Sequence, residues 1–218
     1  WSDEAGSFAI AGSSPEALVK VSAGRAVTHP IAGSRPRGES SAEDMALATE
    51  LSNDNKERSE HLMLVDLARN DLLKICDPSS LEVTEFMEIH RFSHIMHLVS
   101  TVEGEMREGV SAVDAMLATF PAGTLSGAPK PRALEIIHDL EPSYRGLFGG
   151  VVGYFDFEGN SDLAIAIRTA LIRDGVAHIQ AGAGIVLDSV PDSEHAETEA
   201  KAAVVLRAVA AANAMHHG

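Results

Sequence analysis

Two groups of carboxylates stand at helical spacing on two separate segments of the chain. The groups are Glu57, Glu60 and Asp66 on the earlier segment, and Glu194, Glu197 and Glu199 on the later one. Carboxylate oxygens are the hard ligands that Mg²⁺ uses while it keeps positions open for a substrate. One glutamate from each segment could therefore hold this metal. The plainer interpretation is that these are solvated helix faces.

Two glycine-rich segments could let a ligand approach the backbone closely. The first, residues 123–127, leads into a predicted helix at Pro129, and exposed N–H groups at a helix start favour anions. It lacks the Gly-Lys-Ser/Thr ending of a phosphate-binding loop, and the pattern favours an ordinary helix-entry turn over an anion site. The second, residues 180–185, places Gly182 and Gly184 in a predicted strand. There a glycine indicates either tight packing or an approaching ligand.

Three basic side chains stand among apolar neighbours or beside a carboxylate. Arg168 follows Ala166 and Ile167, and it needs an anionic partner if it is buried. His97 has a similar setting, although a histidine in a strand is more often a core residue. Lys201 follows Glu197 by one helical turn. Together they could bind an anionic substrate.

Composition limits the classes of partner. The formal net charge of −15 argues against nucleic acid or an anionic membrane surface. The single cysteine, Cys76, excludes an internal disulfide and a cysteine metal cluster. No apolar run reaches about 18 residues and no signal peptide is visible, so we expect a cytoplasmic protein. The chain starts at Trp1 rather than Met, which favours a fragment or a processed chain.

Local patterns in the first half predict a hairpin and two helices. Apolar residues flank the segment 22–25, which indicates two strands joined by a tight turn. The sequence from Ser40 to Glu43 is a capping box and predicts a helix start. That helix should break at residues 52–55, and a second should run to about Lys74.

The second half predicts a mixed α+β fold. Helices are expected over residues 111–120, from Pro129 to about Leu140, and over residues 193–213. Strands are expected over residues 147–157, 163–173 and 176–186, with short turns that make antiparallel neighbours. The predicted class is α+β, with antiparallel sheets and packed helices. No linker marks a boundary, so residues 1–218 are predicted to form one domain.

Five motifs together resemble the chorismate-utilising enzymes, in order and at family-like spacing. They are residues 30–38 (PIAGSRPRG), 60–72 (EHLMLVDLARNDL), 121–130 (PAGTLSGAPK), 182–186 (GAGIV) and 197–202 (ETEAKA). The resemblance covers about residues 8–208. It implies that this chain is the C-terminal, chorismate-binding catalytic part of the family's two-sheet sandwich. Family members are about twice as long, so the N-terminal half is expected to be absent.

The resemblance also implies roles. Glu60 and Glu197 match the family's Mg²⁺ ligands, and Glu16 matches the general acid that helps the C4 hydroxyl leave. The other matching positions surround the ring or bind the substrate carboxylates. These are His97 and Thr124 around the ring, and Arg168, Gly182, Gly184 and Lys201 at the carboxylates. A metal and two cations would offset the negative chain charge locally.

Position 32 separates branches of the family. Many aminodeoxychorismate synthases carry a nucleophilic Lys there, whereas this chain has Ala32. The resemblance therefore favours direct attack by ammonia and formation of anthranilate and pyruvate. The ammonia would come from a separate glutamine amidotransferase subunit. Two alternatives stay open, an aminodeoxychorismate synthase and a truncated, non-catalytic fragment.

Two other positions depart from the family pattern. Ser34 replaces the usual Thr but keeps the hydroxyl group. Phe148 replaces a common Tyr before the paired glycines, which removes one potential contact to a substrate carboxylate. The isolated 218 residues are expected to be inactive and to expose a sheet edge.

Overall fold

The computed structural model describes residues 2–3 and 6–216, so Trp1 lies outside the described residues. The chain divides into two compact units. The first unit contains the residues up to Glu16, Thr124–Val152 and the residues from Ala164 onward. The second contains Ala17–Gly123 and Gly153–Leu163. That residues 1–218 act as one catalytic domain stays a prediction.

Eleven strands and six helices are present in the described residues. The strands are β1 Ser2–Asp3, β2 Gly6–Gly12, β3 Ala17–Ser22, β4 Arg25–Thr28, β5 Ile31–Pro36, β6 Glu82–Arg91, β7 Ile95–Glu105, β8 Val151–Phe155, β9 Ser161–Ile165, β10 Thr169–Arg173 and β11 Val176–Ile179. The helices are α1 Ser41–Asn53, α2 Asn55–Leu72, α3 Ala112–Thr119, α4 Gly123–Ser126, α5 Lys130–Leu140 and α6 Pro191–His216. No helix in the described residues is long and apolar enough to cross a membrane.

The larger sheet has the order β5-β7-β4-β3-β9-β8, and β6 pairs with β7 outside this path. Strand β7 is its longest member and pairs antiparallel with β4, β5 and β6. Alternate residues of β7 are buried, because one face packs against helices. Met96 and Leu98 from this face pack with Ala48 and Leu51 of α1.

Tight turns and helix caps follow the predicted local signals. Strands β3 and β4 are joined by Ala23 and Gly24, whose φ angles of 49° and 78° suit a tight hairpin turn. The Ser40 side chain accepts a hydrogen bond from the Glu43 backbone N–H, so the predicted start of α1 is confirmed. Asp54 ends α1 and caps α2, which explains the predicted break.

The smaller sheet has the order β1-β2-β10-β11 and lies in the first unit. Strand β10 pairs antiparallel with both β2 and β11. The antiparallel pairings in both sheets, with helices packed on them, confirm the predicted α+β class. Helix α6 extends beyond the predicted 193–213, and α4 occupies part of the predicted glycine-rich turn.

Three predicted strands were wrong in extent, and the one expected over residues 147–157 forms only as β8, Val151–Phe155. The strand expected over residues 163–173 breaks at Arg168, and its halves, β9 and β10, belong to different sheets. The strand expected over 176–186 ends at Ile179, and the glycine-rich residues after it form a loop. Apolar alternation continues through both breaks, so periodicity alone misses them. At the end of the larger sheet, β8 exposes Val152, Tyr154 and Phe155.

Asp44 on α1 holds together the loop before this helix and strand β6. Its carboxylate accepts hydrogen bonds from Arg37 Nε at 2.6 Å, Arg91 Nε at 3.0 Å and the Gly38 N–H at 3.1 Å. The hydrogen bond from Arg37, followed by that from Gly38, holds the pKa of Asp44 far below its ordinary value. The folded state is therefore stabilised by the ionised carboxylate.

Replacing Asp44 by Asn is expected to lower the melting temperature at pH 7. The folded-state pKa of Asp44 is depressed, so its stabilisation is complete above the unfolded value of about 3.9. It is lost as the pH falls toward the folded-state pKa. Thermal melts between pH 3 and 8 should thus show a gap in melting temperature between wild type and variant, and this gap should narrow as the pH falls. Asp139→Asn, at an exposed position of α5, is the control, and a gap independent of pH would contradict the argument.

Candidate active site

Glu16 lies on the segment between β2 and β3, where backbone bonds fix its position. Its carbonyl oxygen accepts a hydrogen bond from the Ile165 N–H at 3.0 Å. Its side chain is approached by Thr124, whose hydroxyl donates to Glu16 Oε1 at 2.7 Å. The two residues are 108 positions apart, so only the fold brings them together.

Burial raises the pKa of Glu16 above its ordinary value. The Thr124 hydrogen bond and the charges of Arg168 and Lys201 oppose this rise without cancelling it. A carboxyl group with a raised pKa keeps its proton closer to neutral pH, which a general acid requires. Glu16 is therefore the candidate proton donor of the first unit.

Arg168 supplies a positive charge beside Glu16. It stands directly before β10 with a φ of 52°, in the left-handed region that non-glycine residues rarely adopt. Within the described part of the chain, its guanidinium has no hydrogen-bond or ion-pair partner. Its five N–H donors are consequently available to a planar anion such as a carboxylate.

Lys201 on α6 connects the glycine loop to the last acidic motif. Its ammonium group donates to the Gly182 carbonyl at 3.2 Å and pairs with Glu197 at 2.5 Å. Gly182 also faces the Phe148 ring, since a Cβ atom there would lie 3.6 Å from Phe148 Cζ. Gly184 has open space where a side chain would stand. The loop thus leaves backbone accessible near a cation.

Arg145 is a site residue that the sequence did not indicate. Its guanidinium donates to the Leu125 carbonyl at 2.6 Å, beside Thr124, and forms an ion pair with Glu141. It also lies over the Phe148 ring at 5.5 Å. Arg145 therefore ties the short helix α4 to the aromatic ring against which Gly182 packs. No motif or spacing marks it, because all its partners come from the fold.

Glu60 belongs to the second unit, on α2, one helical turn after Glu57. The pKa of Glu57 is raised by burial first and then by the negative charge of Glu60. Among the described residues, the Glu60 carboxylate has no hydrogen-bond or ion-pair partner, and Arg35 approaches Glu57 at 3.8 Å. The charges of Arg35 and Lys56 oppose the rise in the pKa of Glu57 without cancelling it, so negative charge accumulates around Glu57 and Glu60.

His97 lies in β7 and faces β5. Its Nδ1 is 3.0 Å from the Gly33 carbonyl oxygen. Because a carbonyl only accepts, Nδ1 carries a proton in this contact, and Nε2 is left for another partner. Gly33 lies at a bulge with a φ of 66°, and a Cβ there would stand 2.9 Å from Leu51 Cδ1. The bulge therefore requires glycine and directs the carbonyl to His97.

The predicted metal ligands, Glu60 and Glu197, lie in different units. Among the described residues, no group of three or more His, Cys, Asp or Glu side chains forms a ready metal site. The donor type fits magnesium, because both are carboxylates, and Glu197 is ion-paired with Lys201 in this structure. Their joint role as ligands stays a prediction.

The first unit thus gathers most of the predicted site residues. The contacts above connect Glu16 with Thr124, and Lys201 with Gly182 and Glu197, while Arg168 acts on Glu16 through its charge. Gly184 lies on the same loop as Gly182. Glu60 and His97 belong to the second unit and have separate surroundings. The arrangement offers a proton donor flanked by two cations.

Two known proteins of similar sequence carry the name anthranilate synthase component 1. The chain is 61% identical over 210 residues to anthranilate synthase component 1 of Arthrobacter globiformis. This alignment covers 96% of this chain and 40% of that protein. It is 58% identical to the Mycobacterium bovis protein of the same name, covering 98% of this chain and 42% of that protein. The chain therefore spans about two fifths of the length of these relatives.

Solved structures have the same fold. Anthranilate synthase component I from Streptococcus pneumoniae superposes with a TM-score of 0.84 at 47% identity, over 91% of this chain and 43% of that one. The menaquinone-specific isochorismate synthase of Escherichia coli superposes with a TM-score of 0.81 at 26% identity, over 91% of this chain and 45% of that one. The sequence profile of the chorismate binding enzymes matches residues 3–207. The chain belongs to the chorismate binding enzyme family.

Proposed function

We propose that this chain is the chorismate-binding catalytic part of an anthranilate synthase. The reaction takes chorismate and ammonia to anthranilate, pyruvate and water. Ammonia adds to ring carbon C2 and the C4 hydroxyl leaves; loss of a C2 proton and of the enolpyruvyl group then restores the aromatic ring. The identities of 58–61% to anthranilate synthase component 1 support this member of the family.

The observation that carries the proposal is the environment of Glu16. Hydroxide is a poor leaving group until it is protonated, so the first stage needs an acid. Glu16 has the raised pKa that this role needs, and the Thr124 hydroxyl at 2.7 Å holds one carboxyl oxygen. The other oxygen is free to carry the proton toward the C4 hydroxyl.

Arg168 and Lys201 are proposed to bind the two carboxylates of chorismate. The Arg168 guanidinium has no partner among the described residues, and its planar donors match a carboxylate. Lys201 shares its charge with Glu197 at 2.5 Å and reaches the Gly182 carbonyl. The N–H groups of the loop around Gly182 and Gly184 would add hydrogen bonds. These cations offset the negative charge of the chain locally.

Glu60 and Glu197 are proposed to hold Mg²⁺. When bound, the ion would neutralise a substrate carboxylate and withdraw electron density from the ring. The hydrogen bond of His97 Nδ1 to the Gly33 carbonyl leaves Nε2 able to exchange a proton with the substrate. Each of these roles rests on residue type and resemblance, with the local surroundings in support.

Ammonia is proposed to attack directly, supplied by a glutamine amidotransferase subunit. Ala32 in β5 has no nucleophile that could form a covalent intermediate. The single cysteine, Cys76, is buried. Burial makes this thiol unsuited to be an amidotransferase nucleophile, which favours a separate subunit as the source of ammonia.

The product identifies the branch of the family. We expect the complete protein, given chorismate, Mg²⁺ and ammonium, to form fluorescent anthranilate and one pyruvate for each anthranilate. The assay combines fluorescence with enzymatic pyruvate measurement, and the control omits ammonium. Aminodeoxychorismate that accumulates without pyruvate would refute the proposal, and so would a hydroxylated product formed without ammonia.

A further inference from the structure

Arg168 occupies a backbone conformation that must be held by its surroundings. A φ of 52° lies in the left-handed region, which a non-glycine residue adopts only at a cost in free energy. Such residues persist where neighbouring contacts determine the backbone. The break at Arg168 also separates β9 from β10, which belong to different sheets. The contacts that hold this residue therefore decide where its guanidinium lies.

Backbone hydrogen bonds join the segments that carry Glu16 and Arg168. The Ser13 N–H donates to the Arg168 carbonyl at 3.3 Å. In the opposite direction, the Ile165 N–H donates to the Glu16 carbonyl at 3.0 Å. Two backbone hydrogen bonds therefore join the segment that carries Glu16, the proposed acid, to the segment that carries Arg168, the proposed carboxylate ligand.

Thr169 adds a side-chain bond across the break. Its hydroxyl donates to the Ile167 carbonyl at 2.8 Å, so the residues on either side of Arg168 are bonded to each other. This bond closes a short hydrogen-bonded ring that includes the Arg168 backbone. The ring opposes a change of Arg168 to an extended conformation.

Gly12 makes room for the Thr169 side chain. Gly12 and Thr169 are direct partners in the pairing of β2 with β10. A Cβ atom at position 12 would stand 2.2 Å from Thr169 Oγ1, far inside contact distance. Any larger residue at position 12 would displace the hydroxyl. The absence of a side chain there is a spatial requirement of Thr169.

We propose that Thr169, seated on Gly12, is a positioning residue that holds Arg168 in its left-handed conformation and so places the guanidinium for a substrate carboxylate. The inference rests on the proposed role of Arg168. It gives Thr169 and Gly12 a function in substrate affinity that acts through the backbone of Arg168. A change at Thr169 should therefore act on the KM for chorismate more than on kcat.

Thr169→Val in the complete protein tests this role, since it keeps the β-branched shape and removes the donor. We expect kcat/KM for chorismate to fall about five- to tenfold through KM, the loss expected for one hydrogen bond. The KM for ammonium should not change, and Thr169→Ser should restore the chorismate KM to within about twofold. The matched control is Thr49→Val, because Thr49 donates to the Met45 carbonyl at 2.8 Å in the other unit. Should Val impair folding, comparing Thr169→Ala with Thr169→Ser isolates the hydroxyl.

A double-mutant cycle separates positioning from general destabilisation. If Thr169 acts through Arg168, Thr169→Val should change kcat/KM less than twofold in an Arg168→Gln background. An equal five- to tenfold loss in both backgrounds would overturn the proposal, as would an unchanged KM in the folded single variant. If Arg168→Gln itself leaves chorismate kinetics unchanged, the proposed function of Arg168 fails first, and the inference falls with it.

Discussion

Replacing Glu16 by Gln is expected to lower kcat for chorismate by about 100- to 10,000-fold, the usual contribution of a general acid. Gln keeps the size of the side chain and can still accept the Thr124 hydrogen bond, but it has no acidic proton. The measurement is steady-state anthranilate formation by the complete protein. Glu135→Gln, at an exposed position of α5, is the control. A kcat within tenfold of wild type would remove Glu16 from the acid role.

The pH dependence gives a second signature of the same residue. Burial raises the pKa of Glu16, so wild-type kcat should fall as the pH rises through that value, and the Gln variant should lack this decline. The effect on stability has the matching sign. A raised folded-state pKa means that stability is lost as the pH rises through it. Glu16→Gln should therefore melt at a higher temperature than wild type at pH 8, with the difference shrinking below the unfolded pKa.

Replacing Glu60 or Glu197 by Gln is expected to reduce magnesium-dependent turnover at least about 100-fold. A bound ion supplies several kcal/mol of charge stabilisation, and each carboxylate provides much of the negative charge that retains it. Turnover is measured against Mg²⁺ concentration. Mg²⁺-dependent thermal stabilisation gives a second readout without substrate, and both variants should lose it.

The fold of these variants needs a separate check. Glu197→Gln also removes the ion pair with Lys201 at 2.5 Å, so the KM for chorismate is expected to change more there than in Glu60→Gln. Far-ultraviolet circular dichroism and melting curves should match wild type in the absence of the metal. Normal activity of both variants at ordinary magnesium concentration would end their assignment as ligands.

Structural features that depend on only a few neighbouring residues could be predicted from the sequence. The hairpin around Ala23 and Gly24 and the cap at Ser40 both formed where they were predicted. The helix opened by Ser111 also carries the capping box with Asp114. Each of these depends on dihedral preferences and hydrogen bonds within about four residues. Distant parts of the chain are not needed to form them.

The sheet to which each strand belongs could not be predicted from such local signals. Residues 163–173 show the apolar pattern of one strand, yet β9 pairs in one sheet and β10 in another. At the break between these strands, the Ser13 N–H donates a hydrogen bond to the Arg168 carbonyl. No local sequence signal predicts this contact. The strand expected to reach residue 186 ends at Ile179. Both outcomes depend on which distant segments supply hydrogen bonds.

The sequence by itself determined which groups are available: a carboxylate at Glu16, cations at Arg168 and Lys201, carboxylates at Glu60 and Glu197, and the family to which their motifs point. Only the tertiary structure decided what surrounds them. The raised pKa of Glu16 comes from burial and from a hydroxyl 108 residues away, and Arg145 and Thr169 gained their positions from carbonyl groups that no motif marks. Charge, burial and hydrogen bonding act through space. The type of a residue therefore determines which reactions it can take part in, and its neighbours determine its pKa and its position.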